Sequence, residues 1–183
     1  MPAVRYTLDA PTSKLTIRTG TVGMFSPLAH DLELAAGALR GELELDGDAY
    51  SVRVQVHVAQ LRVAGVVKRG KLDADALSAR DRAEIERRIR EDVFRTAGDV
   101  LIEARGTGRT AAVDVRVGAG VARVSVGLSK LTRDALEARA DGECELSIKA
   151  LGLTEVRGPL NAFRVADTLH VRFDVTFRAP AAT

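Results

Sequence analysis

Catalysis needs a nucleophile beside a base, a pair of carboxylates, or a bound metal. The chain has three histidines, His30, His57 and His170, and one cysteine, Cys144. His57 and His170 fall on the polar phase of alternating segments, where a side chain faces solvent. His30 differs, because it follows the segment Gly23-Met24-Phe25-Ser26-Pro27 and opens the alternating run Asp31-Leu32-Glu33-Leu34. There it can hold a local backbone hydrogen bond or line the mouth of a pocket. With Asp31 it forms the one adjacent ionisable pair that an enzyme could use. Cys144 lies on the apolar phase of its segment, as a buried small hydrophobe does. No GxSxG, HExxH or GxxxxGK[ST] pattern occurs. Acidic residues occur singly on polar phases, without a clustered pair. No catalytic residue and no metal site is therefore assigned, and a single cysteine excludes an internal disulfide and a multi-cysteine zinc cluster.

The elements that would position a site are strands. Val52, Val54, Val56 and Val58 share one phase, with Arg53, Gln55 and His57 on the other. Leu169, Val171, Phe173, Val175 and Phe177 alternate with polar residues, as do Cys144, Leu146 and Ile148. Period two is the mark of a half-buried strand. Shorter runs occur at Leu15 to Ile17, Leu32 to Leu34, Leu39 to Leu45, Val100 to Ala104, Val113 to Val117 and Ala122 to Val126. Asp46-Gly47-Asp48, Gly106-Thr107-Gly108, Gly118-Ala119-Gly120 and Asp141-Gly142 read as turns between them. Short, evenly spaced strands point to a mainly β, antiparallel sandwich or barrel. One helix is expected, from about Ser78 to Phe94, with Ser78 as N-cap and Ile85, Ile89 and Val93 as its apolar stripe. Pairs Glu84 with Arg88 and Glu86 with Arg90 support it.

The 183 residues suffice for one domain, expected over 4–178 with loose tails at 1–3 and 179–183. Hydrophobic residues make up 46% and charged residues 28%, which excludes a disordered chain. No apolar run nears the ~20 residues that span a bilayer, so stable membrane insertion is not expected. The formal charge of +2 is interleaved along the chain rather than gathered in a stripe, and aromatics are only 4%. Both features argue against a nucleic-acid partner. The N-terminus has no secretory leader pattern, so a cytoplasmic location is expected, or a periplasmic one if a leader was removed.

A barrel of about eight strands leaves room for side chains or for one small ligand. This sequence fills its apolar phases mainly with Val, Leu and Ala. Periodicity alone leaves two readings open: a dry channel that binds an apolar ligand, and a filled core serving as a structural or interaction module. The channel reading names Leu15, Ile17, Leu32, Leu34, Leu43, Val54, Val56, Ile102, Val115, Val124, Leu146, Ile148, Phe173 and Val175 as its lining, with His30 at the mouth.

The order of features resembles the YceI-like family, a lipocalin-like group associated with polyisoprenoid binding. Tyr6-Thr7-Leu8-Asp9, Ala29-His30-Asp31-Leu32, the strand Ser51 to Val58 with Leu61-Arg62-Val63, and Leu77 to Ile85 leading into a helix carry the first half. Val100 to Ala104, Ile148-Lys149-Ala150-Leu151-Gly152-Leu153, Gly158-Pro159-Leu160 and Phe163 to Asp167 carry the second. Departures are Arg95-Thr96-Ala97-Gly98-Asp99, where the family often has a proline, and a loose echo of its later signature at Leu128 to Thr132. The resemblance implies a closed lipocalin-like barrel with a helix over one opening and a long isoprenoid chain inside. Isoprenoid quinones are plausible ligands on the same ground, and such proteins are often dimers. No covalent cofactor is implied.

Overall fold

The computed structural model describes residues 3–22, 31–95, 97–157 and 164–180. Twelve strands form one antiparallel sheet: β1 (Val4–Leu8), β2 (Lys14–Val22), β3 (Asp31–Ala36), β4 (Leu39–Asp46), β5 (Ala49–His57), β6 (Leu61–Lys68), β7 (Lys71–Asp73), β8 (Asp99–Thr107), β9 (Thr110–Val117), β10 (Gly120–Arg133), β11 (Glu137–Ser147) and β12 (Arg164–Arg178). The helix α1 (Ala79–Arg88) continues into a wider turn over Ile89–Phe94.

Eight of these strands close on themselves in the order β1-β4-β5-β8-β9-β10-β11-β12, with β12 returning to β1. Closure is made by Thr7 opposite Arg178 and Leu8 opposite Phe177. A closed barrel leaves no unpaired edge. The remaining strands branch from β12 as an arm, β2-β3-β6-β7.

The arm exists because three long strands break at one level. Pro11 sits in a single 3₁₀ turn between β1 and β2, where its missing N–H stops the ladder. Gly37 separates β3 from β4, and Val58–Gln60 forms a 3₁₀ turn between β5 and β6. The last two breaks lie against each other: the Gly37 N–H donates to the Gln60 carbonyl at 2.9 Å. Each strand thus serves the barrel with one half and the arm with the other.

The expected helix is present, and Ser78 Oγ accepts the Asp81 N–H at 3.1 Å as its cap. Ile85, Ile89 and Val93 are half-buried on its inner stripe. Glu84 pairs with Arg88 at 2.9 Å, as expected, and also with Arg87 at 2.8 Å. Glu86 does something else. It accepts the Val63 N–H at 3.0 Å, while Arg82 donates to the Val63 and Ala64 carbonyls at 2.6 and 3.0 Å. One turn apart on α1, these two side chains satisfy a stretch of β6 that β7 is too short to reach.

Gly47, Gly108 and Gly118 each open a two-residue hairpin loop at positive φ, where a glycine carries no Cβ penalty. Asp141-Gly142, expected as a turn, is instead the middle of β11, with Gly142 between Leu128 of β10 and Phe173 of β12. The glycine is there for space, not for a bend.

Candidate functional site

Along every barrel strand one phase faces the axis, and these inward side chains are mostly short. Ala104 on β8, Ala111 on β9, and Ala138 and Ala140 on β11 stand among Val and Leu. Two wall positions, Gly41 and Gly142, have no room for any side chain. Side chains this small do not meet across a barrel of eight strands, so folding leaves a central cavity. It holds about 1410 Å³ of atom-free space, including its opening to solvent.

Leu15, Ile17, Leu43, Val54, Val56, Ile102, Val115, Leu146, Phe173 and Val175 all border the cavity. Four expected lining residues do not. Val124 keeps the inward phase but packs into surrounding core. Leu32 and Leu34 lie on β3, opposite Val66 and Val63 of the arm, beyond the break that separates arm from barrel. Ile148 follows the last residue of β11, where the chain turns. Asp167 accepts the Lys149 N–H at 2.9 Å there, and Ile148 lines a second depression outside the barrel. His30 lies outside the described residues.

At one end of the cavity Phe94, from the turn that ends α1, joins the wall with Leu61 and Val100. The opposite end is ringed by the Gly47-Asp48 and Gly108-Arg109 loops and by the segment joining β10 to β11. Two tyrosines tie this rim together. Tyr50 donates its hydroxyl to the Thr110 carbonyl at 3.1 Å, and Tyr6 donates to the Asp134 carbonyl at 2.9 Å. Burial pushes the Tyr50 phenol above its ordinary pKa.

Arg133 is the rim residue that sequence phase alone misplaces. The pairing of β10 with β11 slips at Ser129, between Leu128 and Lys130. After that bulge Leu131 and Arg133 take the inward phase, and both border the cavity. The signal was the spacing of three between Leu128 and Leu131, where an unbroken strand would give two or four. Cys144, Leu39 and Tyr50 also line the wall; Cys144 shares the phase of Leu146. Burial raises the Cys144 thiol above its usual pKa, so it is a wall residue rather than a poised thiolate.

No histidine or carboxylate is among the described residues that border the cavity. His57 contacts the Asp99 carboxylate on the outer face, and His170 lies 3.2 Å from Glu145, where both are exposed. Among the described residues no group of three or more His, Cys, Asp or Glu could hold a metal ion. No helix is long and apolar enough to cross a membrane, again among the described residues. What the geometry can do is bury an apolar molecule.

No family model matches the sequence, and no curated protein matches it either. Solved structures do match. The chain superposes on Burkholderia cenocepacia BcnA with a TM-score of 0.62 at 15% identity, covering 92% of this chain and 98% of that one. It superposes on a polyisoprenoid binding domain from Saccharophagus degradans, described as implicated in plant cell wall breakdown, with a TM-score of 0.63 at 10% identity. That match covers 97% of this chain and 99% of the other. The chain shares the fold of both. At such identities the likeness is one of backbone path. The barrel here is closed by β1 against β12, and among the described residues one helix of 16 residues lies beside it.

Proposed function

We propose that this protein binds a long apolar isoprenoid-type lipid, such as a polyprenyl or quinone tail, inside the barrel, as a carrier or sequestering protein rather than an enzyme. The observation that carries this reading is the cavity. Its wall is apolar for nearly its whole length and opens to solvent, and dry apolar cavities take up apolar ligands. The inward alanines Ala104, Ala111, Ala138 and Ala140 favour this over a filled core, the competing reading. The shared fold with a domain described as polyisoprenoid binding supports the same ligand class. Each CH₂ of a tail moved from water to such a wall contributes about 0.8 kcal/mol before ordering costs. A tail of about twenty carbons contributes about 16 kcal/mol on this scale, against an association cost of roughly 4–15 kcal/mol, so burial of the tail is the main source of affinity.

The test is mass spectrometry of an organic extract from natively purified protein, joined to titration with prenols and isoprenoid quinones. A co-purifying prenyl lipid and saturable binding at one site per chain are expected. An empty extract together with flat titrations overturns the reading.

A further inference from the structure

The charged residues that border the cavity are Arg133 and Arg139, and no carboxylate accompanies them among the described residues. Of the two, Arg133 has the inward phase, opposite Ala138. Its guanidinium crosses the rim to the far side of the barrel. There Nη1 donates to the Gly47 carbonyl at 3.0 Å and Nη2 contacts the Asp48 carboxylate. Arg133 and Asp48 belong to strands that are not neighbours, β10 and the β4–β5 loop. The side chain is therefore a strap over the greasy interior.

The strap is held weakly. Asp48 is 88% exposed and Arg133 37% exposed, and ion pairs in such surroundings contribute little and exchange readily. An anionic group arriving at the rim would meet a guanidinium already aimed across it, whose fork donates to two oxygens at once. Arg139 adds positive charge to the same rim; its partner Glu137 is 3.9 Å away and is shared with Arg178 at 3.5 Å.

We propose that Arg133 is a head-group residue: a ligand whose tail fills the barrel and whose polar end is a phosphate-type anion displaces Asp48 and takes its place on the guanidinium. This rests on the lipid-binding reading above and adds a preference among lipids. The apolar wall alone would favour a prenyl alcohol over its phosphate ester, which is harder to desolvate. The rim reverses that ranking, with the tail inside and the charge left at the solvent boundary.

The experiment compares geranylgeraniol with geranylgeranyl monophosphate, both below their aggregation thresholds, by titration of wild type, Arg133→Gln and Asp48→Asn. Wild type is expected to bind the phosphate about tenfold more tightly than the alcohol, which is about 1.4 kcal/mol. Arg133→Gln is expected to lose that preference while keeping its affinity for the alcohol. Asp48→Asn, which removes the competing carboxylate, is expected to strengthen phosphate binding and leave the alcohol unchanged. Equal wild-type affinities for the two ligands, or an Arg133→Gln variant that weakens both alike, overturn the head-group role while leaving the lipid reading intact. A folded wild-type protein that binds neither ligand overturns both. Far-ultraviolet circular dichroism of each variant establishes that the barrel is formed.

Discussion

Gly142 of β11 faces Phe173 of β12 so closely that a Cβ on Gly142 would stand 2.8 Å from the ring carbon Cζ. The aromatic ring occupies the space that every other residue type would claim. Gly142→Val is expected to destabilise the barrel by about 1–3 kcal/mol, the usual range for overpacking. Urea unfolding reads this as a lower midpoint. Gly142→Val combined with Phe173→Leu is expected to recover most of the loss, because the shorter side chain vacates the contact.

Filling the cavity should separate binding from stability. Ile102 borders the void from β8, so the indole of Ile102→Trp has space to enter. Affinity for a prenyl ligand is expected to fall more than tenfold, while the unfolding midpoint stays near that of wild type. A variant that binds as before would place the ligand elsewhere.

The edge of β6 depends on α1. Replacing Arg82 with Met keeps the aliphatic stem but leaves the Val63 and Ala64 carbonyls without their donor. Losing partners for part-buried backbone groups costs about 1–3 kcal/mol. Hydrogen exchange is expected to accelerate at β6 and α1 before it does so in β9 or β10.

Acid should loosen the helix first. The Arg87 and Arg88 guanidiniums that donate to Glu84 hold its carboxyl down to about 2 from an ordinary 4.5. A depressed folded-state pKa gives stability that is present above the unfolded value and lost as pH falls toward the folded one. Helix stability contributed by Glu84 is thus expected to drain between about pH 4.5 and 2, and Glu84→Gln should flatten that part of the profile. Circular dichroism at 222 nm against pH measures it.

Cys144 gives a direct report on the interior. Its thiol is raised by burial and lies on the cavity wall. Alkylation by iodoacetamide at neutral pH is expected to be slow in the folded protein, fast in urea, and slower still with ligand bound.

The sequence made most of the barrel readable because a one-sided core imposes strict alternation. β5 and β12 announce themselves through Val52, Val54 and Val56, and through Leu169 to Phe177, since each inward residue meets an apolar neighbour. The breaks were not readable. Gly37 and the Val58–Gln60 turn matter because they meet each other, and that pairing spans more than twenty residues. Leu32 and Leu34 were therefore expected in the cavity, although their phase continues into the arm. Gly142 looked like a turn because Asp-Gly usually is one; the Phe173 ring that requires it lies thirty-one residues further along. Arg133 stayed hidden for a third reason, the bulge at Ser129, which shifts phase without changing composition.

The seam between β1 and β12 has a consequence for how the molecule comes into being. Thr7 and Leu8 pair with Arg178 and Phe177, which lie more than 160 residues further along the chain. Until that final strand arrives the nascent cylinder stays unzipped, with its aliphatic lining turned toward water. Closing so distant a pair is slow relative to forming local hairpins. Folding of this barrel is therefore complete only when that seam closes, and the lumen comes into existence only then.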